Sequence, residues 1–181
     1  MNTEPESGLQ SPLDDFSGCH EGIIANLDRL RELLAMIDQD AGNPRIRETA
    51  GKLLKFFDEV VYTHHAEEEQ ELFPAVMDSA RDDNEASEAR AHIERLVAEH
   101  RELESMWKQI EGDIWRLSRG RKAMLDRELA TRLARRYLKH AEFEEQVFLP
   151  LSARMLSKTD LSSLGMSLHR RHQEKIAPYF I

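Results

Sequence analysis

The sequence predicts an all-α protein, an up-down-up-down bundle of four helices followed by a short extra C-terminal helix. Three observations carry this expectation. Apolar residues recur at three- and four-residue steps along four long stretches, the spacing of one helix face. Clusters of Pro, Gly, Asn and Asp, which stop helices, separate the stretches. The stretches themselves are rich in Leu, Ala, Glu, Arg and Lys, all good helix formers. At 181 residues the chain suits one domain with a substantial core.

Each element has its own signals. Ser11-Pro12-Leu13-Asp14 reads as a helix start, with Ser11 as cap and Pro12 at the first helical position. The apolar side of this helix is expected to run Phe16, Ile23, Ile24, Leu27, Leu30, Leu34 and Ile37, ending near Asp38. Asn43 then caps a second helix with Pro44 inside it. Its stripe is Ile46, Ala50, Leu53, Phe57, Val60 or Val61, His64 and Glu68, fading after Met77 into the acidic stretch from Asp78 to Glu85. Ser87 is the expected cap of the third helix, whose stripe is Ile93, Leu96, His100, Leu103, Trp107, Ile110, Ile114 and Leu117, with Gly120 ending it. The fourth is expected from about Lys122, through Leu125, Leu129, Leu133, Arg136 or Tyr137, His140, Glu144 and Val147, to near Ser157. An amphipathic piece from Leu161 to Ile176 follows. The expected organisation is a disordered tail over 1–10, the bundle over 11–157 and a helical extension over 158–181.

Composition excludes several function classes. The formal net charge of −9 and the lack of a Lys/Arg stripe make a poor nucleic-acid or anionic-membrane binder. Met1 to Gln10 is polar and acidic, unlike a signal peptide. No segment approaches the roughly 18 consecutive apolar residues of a membrane helix. The expected compartment is the cytoplasm. Cys19 is the single cysteine, which leaves no internal disulfide and no all-cysteine zinc or iron–sulfur site.

The chemistry lies in a repeated motif. Residues 64–74 (His-His-Ala-Glu-Glu-Glu-Gln-Glu-Leu-Phe-Pro) and 140–150 (His-Ala-Glu-Phe-Glu-Glu-Gln-Val-Phe-Leu-Pro) align without a gap as His-x3-Glu-Glu-x2-hydrophobic-hydrophobic-Pro. A His and a Glu four apart stack on one helix face. Imidazole with carboxylate is a donor set for first-row transition metals, and two such pairs point to two metals sharing carboxylates. His20 and His100 lie on the apolar stripes of the other two helices. Counted from one bundle end, all four histidines fall ~27–30 Å along the axis at ~1.5 Å per residue. Buried imidazoles and carboxylates cost several kcal/mol unless paired or coordinated, so the alternative to a metal is a complete polar network. The candidate ligands are His20, His64, Glu68, His100, His140 and Glu144.

The other polar residues near this level are placed outside the ligand set. His65-x3-Glu69 has the same spacing and competes with His64/Glu68, but the gapless alignment and the stripe through Phe57 and Val60 favour the latter. His65 is then expected to support a ligand from behind or to face solvent. His92, His169 and His172 are expected to be exposed. Glu104 faces the interior as an extra ligand or a support, and Tyr62 and Tyr137 lie close enough to hydrogen-bond a ligand. Four imidazoles and two carboxylates are too nitrogen-rich for calcium or magnesium, and without thiolates a structural zinc is disfavoured. The set suits two iron ions, with manganese or zinc as substitutes, and leaves coordination positions open to a small diatomic molecule or peroxide. None of the eight histidines follows a Glu or Asp by three residues, so the Glu-x2-His pattern of ferritin-like di-iron bundles is missing, as is the zinc-protease His-Glu-x2-His.

Taken together, these residues resemble the hemerythrin-like domains, also called HHE cation-binding domains. The resemblance covers roughly His20 to Pro150. It rests on the early His20, the two His-x3-Glu-Glu motifs ending in Phe73-Pro74 and Leu149-Pro150, and Glu99-His100 in the third helix. It implies a left-handed four-helix bundle with a non-haem, oxo-bridged di-iron centre, Glu68 and Glu144 bridging and His20, His64, His100 and His140 terminal. The oxygen-carrying members have His-x3-His in the third helix and His-x4-Asp in the fourth; here the equivalents are His100-x3-Glu104 and His140-x3-Glu144. The four-His, two-Glu set is more similar to bacterial proteins that repair iron–sulfur centres under nitrosative or oxidative stress. The resemblance therefore implies sensing, handling or detoxification of small oxidants (oxygen, peroxide, nitric oxide) or of iron, and leaves room for a protein redox partner. The alternatives are an iron-dependent enzyme turning over peroxide or nitric oxide, and a helical interaction module that presents its C-terminal segment.

Overall fold

The structure, a computed structural model, describes residues 12–37 and 43–166. Among these residues it is all helical. Helix α1 spans Pro12–Met36. Helix α2 runs continuously over 44–78, α3 over Asp83–Ser118 and α4 over 127–155. A shorter α5 covers 158–166. α1 packs on α2 and α4, and α3 closes the ring by packing on both as well. The expected cap Ser11, the helix end near Asp38, the tail over 1–10 and the segment beyond Met166 lie outside the described residues. No described helix is long and apolar enough to cross a membrane.

Local signals set the boundaries, and two of them differ from expectation. Asn43 caps α2 as predicted, its side-chain oxygen accepting the Arg45 N–H at 2.9 Å. α3 begins earlier than Ser87, because Asp82 accepts the N–H groups of Asn84 and Glu85, both at 2.9 Å. α4 begins later than Lys122, at Arg127, where Asp126 accepts the Leu129 N–H at 2.9 Å. Leu125 is nevertheless buried in the preceding loop. Gly120 ends α3 with φ of 67°, and the bonds Gly120 N–H to Leu117 O and Arg121 N–H to Arg116 O form a Schellman closure.

Three π-turns interrupt the long helices, at Phe57–Val61, Glu68–Leu72 and Glu144–Phe148. Two of them have a cause legible in the chain. Pro74 and Pro150 have no N–H, and in an α-helix their rings would crowd the carbonyl one turn back. Widening the preceding turn relieves this: the Phe73 N–H reaches the Glu68 carbonyl and the Leu149 N–H reaches that of Glu144. The helices thus pass through their prolines. The extra residue per turn also shifts the register, so Phe148 is buried where Val147 was expected, and Val147 is exposed. In α1, Leu33 takes the core position and Ile24 lies at the flank.

The interior divides into two apolar clusters. One contains Ile23, Leu27, Leu30, Leu53, Phe57, Trp107, Ile110, Leu133 and Tyr137, with Phe57 and Trp107 stacked at 3.7 Å. The other contains Phe16, Leu72, Phe73, Leu96, Phe148, Leu149 and Leu164. Near the first cluster, Arg127 donates to the Leu34 carbonyl at 2.8 Å and Gly120 lies against the Arg47 side chain. Near the second, Arg154 pairs with Glu88 at 3.2 Å, and Gly165 meets the Pro12 ring so closely that a Cβ would come within 3.0 Å of it. A belt of buried polar residues separates the clusters.

Leu30→Ala, at a position with no exposed surface, is expected to lower the unfolding free energy by about 2–5 kcal/mol. Gly120→Ala is expected to lower it by about 1–2 kcal/mol, because an L-residue is strained at positive φ. Denaturant midpoints measure both, and a Gly120→Ala protein as stable as its parent would show that the left-handed turn is dispensable.

Candidate metal centre

The polar belt consists of His20 from α1, His64, His65 and Glu68 from α2, His100 from α3, and His140 and Glu144 from α4, all buried. The six residues expected from the sequence therefore meet in one place. His20 Nε2 lies 2.9 Å from Glu144 Oε2 and 3.1 Å from His64 Nε2. His64 Nε2 is 3.5 Å from Glu68 Oε1, and His100 Nε2 is 3.3 Å from Glu68 Oε2. His140 Nε2 is 3.3 Å from Glu144 Oε2, and His100 Nε2 is 3.9 Å from Glu144 Oε1. Glu68 thus meets imidazoles from two helices and Glu144 from three.

Several contacts at this spacing are not aligned as hydrogen bonds. Among the described residues, both oxygens of Glu68, both of Glu144, and the Nε2 atoms of His100 and His140 are buried with no hydrogen-bond partner. Leaving such groups unsatisfied costs about 1–3 kcal/mol each, more when charged. Ligands held about 2.1 Å from one ion and at right angles to each other lie about 3 Å apart. The observed spacings fit that arrangement, and imidazole with carboxylate is a donor set for iron, manganese or zinc.

A ring of outer carboxylates stands behind the imidazoles. His20 Nδ1 meets Glu145 at 2.6 Å, His100 Nδ1 meets Glu69 at 2.8 Å and His140 Nδ1 meets Glu99 at 2.9 Å. A carboxylate on Nδ1 fixes the tautomer and aims Nε2 inward, as metal-binding imidazoles require. Further donors hold the carboxylates: Ser17 on Glu145 at 2.8 Å, Arg95 on Glu99 at 2.8 Å and Arg101 on Glu69. His64 differs, since its buried Nδ1 has no hydrogen-bond partner among the described residues. Cys19 precedes His20 where Glu99 precedes His100, so the first half of the chain has a thiol at the place of the second half's supporting carboxylate.

This outer ring is what sequence reasoning missed, although its signal was present. The second Glu of each motif, Glu69 and Glu145, supports a histidine of a neighbouring helix rather than its own. Glu104 supports His65, at 3.0 Å from Nδ1. His65 is buried, not at the surface, with its ring stacked on His100 at 4.0 Å and its Nε2 2.5 Å from the Tyr137 hydroxyl. α2 lies between two neighbours, so His64 faces α1 while His65, one residue on, faces α3. His92 is half-buried, edge-on to Phe143. His169 and His172 lie outside the described residues.

The electrostatics favour a cation here. Burial, reinforced by the charge of Glu144, pushes Glu68 up to about 8, whereas His140, His100 and His20 hold Glu144 well below the usual carboxylate range against the effect of burial. Burial works against charge on His20 and His100, yet the neighbouring Glu144 carboxylate outweighs it. His20 rises to about 9, and His100, with Glu68 also contributing, to about 10. Protons on these groups supply the positive charge that two buried carboxylates demand. His65 is lowered by burial to about 4 and stays neutral, and burial pushes the Tyr137 hydroxyl well above its ordinary value. Burial, with Glu67 nearby, raises Cys19 to about 11, so its thiol is no thiolate donor.

A metal entering the belt must displace those protons. His20, His100 and Glu68 are all raised, hence protonated at pH 7, so loading is expected to release about three protons per chain and to strengthen as pH rises from 7 towards 10. Calorimetry in buffers of different ionisation enthalpy counts them, and loading without proton release would contradict this electrostatic picture. Glu99→Gln and Glu145→Gln are each expected to weaken metal affinity about 10- to 100-fold while leaving stoichiometry at saturation unchanged, as read by competition with a chelator.

Residues 11–152 match the family model of the hemerythrin HHE cation binding domain. An uncharacterized protein of Haemophilus influenzae is 21% identical over 164 residues, covering 91% of each chain. The match extends from the first turn of α1 into the last turns of α4 and encloses every residue of the polar belt. The chain is a member of the hemerythrin HHE cation-binding domain family.

Proposed function

We propose that the protein holds two iron ions in this belt, Glu68 and Glu144 bridging them, with His20 and His64 on one ion and His100 and His140 on the other. The observation that carries the reading is the pair of fully buried carboxylates whose four oxygens have no hydrogen-bond partner among the described residues yet face imidazole nitrogens from four helices. Manganese or zinc could take the same donors. The contacts of Arg127 with Leu34 and Gly120 with Arg47 at one end, and of Arg154 with Glu88 at the other, support an up-down-up-down arrangement of α1 to α4; the left-handed sense and the division into a bundle over 11–157 and an extension over 158–181 are proposed from the family likeness alone.

The role we assign is the sensing, handling or detoxification of a small oxidant such as oxygen, peroxide or nitric oxide, or of iron itself, in the cytoplasm. Iron, when bound, supplies redox chemistry and affinity for such molecules. The protein's part is to fix the imidazole tautomers through Glu69, Glu99 and Glu145, and to keep water away with the apolar clusters above and below. The alternative reading is an iron-dependent enzyme. Turnover of peroxide or nitric oxide in the presence of a supplied reductant, whose place a protein redox partner would take in the cell, would distinguish an enzyme from a sensor or carrier.

Elemental analysis of aerobically purified protein, with an absorption spectrum of the same sample, tests the proposal. About two irons per chain and ferric charge-transfer bands are expected. Glu68→Ala and Glu144→Ala should each weaken iron retention by about 10- to 100-fold or more. A colourless protein that refuses iron on reconstitution, or both variants keeping their iron, would overturn it.

A further inference from the structure

We propose that His65 is a fifth imidazole held back from the metal by the Tyr137 hydroxyl, which keeps a coordination position on the His100/His140 side free for a small molecule. The proposal deepens the di-iron reading and rests on it. His65 has every attribute of the ligating histidines. It is buried at the same level, and one ring nitrogen each from His65, His100 and His140 lie within 4.8 Å of one another. A carboxylate, Glu104, takes its Nδ1 at 3.0 Å and is in turn held by Arg101. That is the support Glu69 and Glu99 give to His100 and His140.

The difference lies at Nε2. With Nδ1–H donated to Glu104, the tautomer fixed by these partners leaves a lone pair on Nε2. The Tyr137 O–H donates to it at 2.5 Å. A lone pair engaged by a hydroxyl is not available to a metal. Tyr137 has no exposed surface, and it sits three residues before His140 on α4, so its position is fixed to the metal side of the belt. Phe57, Leu103 and Trp107 pack around this His65–Tyr137 contact and hold it in place. The tyrosine therefore acts as a positioning residue: it decides whether the next donor to that metal is a protein imidazole or a small molecule from outside.

The test uses the iron-loaded full chain with azide, a triatomic anion, as the probe. Tyr137→Phe frees Nε2, and the intramolecular imidazole then competes at an effective concentration far above that of added azide. Azide affinity should fall by at least about tenfold, and the ferric charge-transfer bands should shift before any azide is added. In the double variant Tyr137→Phe with His65→Ala the competitor is gone, and azide affinity and the original bands should return. His65→Ala alone should leave the bands of the parent in place. Three results overturn the proposal: Tyr137→Phe binding azide like the parent, the double variant as impaired as Tyr137→Phe, or His65→Ala alone altering the bands, which would mean His65 already coordinates. Failure of the parent chain to load iron is a separate result, which removes the di-iron reading and this inference together.

Discussion

Two carboxylates buried between two apolar clusters set the terms for the rest of the molecule. Glu68 and Glu144 lie beside each other where no water reaches, and moving one ionised carboxylate into such surroundings costs several kcal/mol even after relaxation. Positive charge must be supplied at that level of the bundle. Imidazoles from four helices surround the pair, and the raised proton affinities of His20 and His100 show how strongly the site attracts a cation. Everything outward from there, the carboxylates on Nδ1 and the arginines and serine behind them, aims these imidazoles inward.

The departures from ideal helix geometry serve the same end. Each His-x3-Glu-Glu motif runs into a proline six residues after its first Glu, and each proline is accommodated by a π-turn that starts at that Glu. A regular helix would carry the doubled glutamates around its axis at 100° per residue. The observed helices place the first Glu at the centre and the second against a neighbouring histidine: Glu69 on His100 and Glu145 on His20. π-turns cost stability relative to uninterrupted helix and cluster at functional sites, and here two of the three begin at the residues we assign as bridges.

Much of this was legible in the chain. The helical class, the Asn43 and Gly120 boundaries and the meeting of six polar residues at one level follow from periodicity, capping chemistry and a duplicated motif. What could not be read were relations between helices. Spacing tells which residues share a face but not how wide an arc of that face is covered. Spacing alone leaves His65, 100° from His64, either behind a ligand or facing solvent; the solvent-facing option fails because α2 is covered on two sides and buries both histidines. Likewise Glu99 reads as a neighbour of His100 in sequence, but it serves His140 across the α3–α4 interface. The register shift that buries Phe148 instead of Val147 depends on a π-turn, which hydrophobic periodicity at 3.6 residues does not anticipate.

The supporting bonds run between helices in every case: α4 holds the histidine of α1, α2 that of α3, and α3 those of α4 and α2. No pair of adjacent helices contains both carboxylates and the outer groups that orient their imidazoles. A hairpin of α1 and α2 emerging first during synthesis carries His20, His64 and Glu68, but lacks Glu144 and the Glu145 that aims His20. The centre is thus a late product of assembly, formed only when α4 closes the ring. A nascent or partly unfolded chain offers a metal cation scattered and incomplete ligands, and a defined place for the cation arises only in the finished fold.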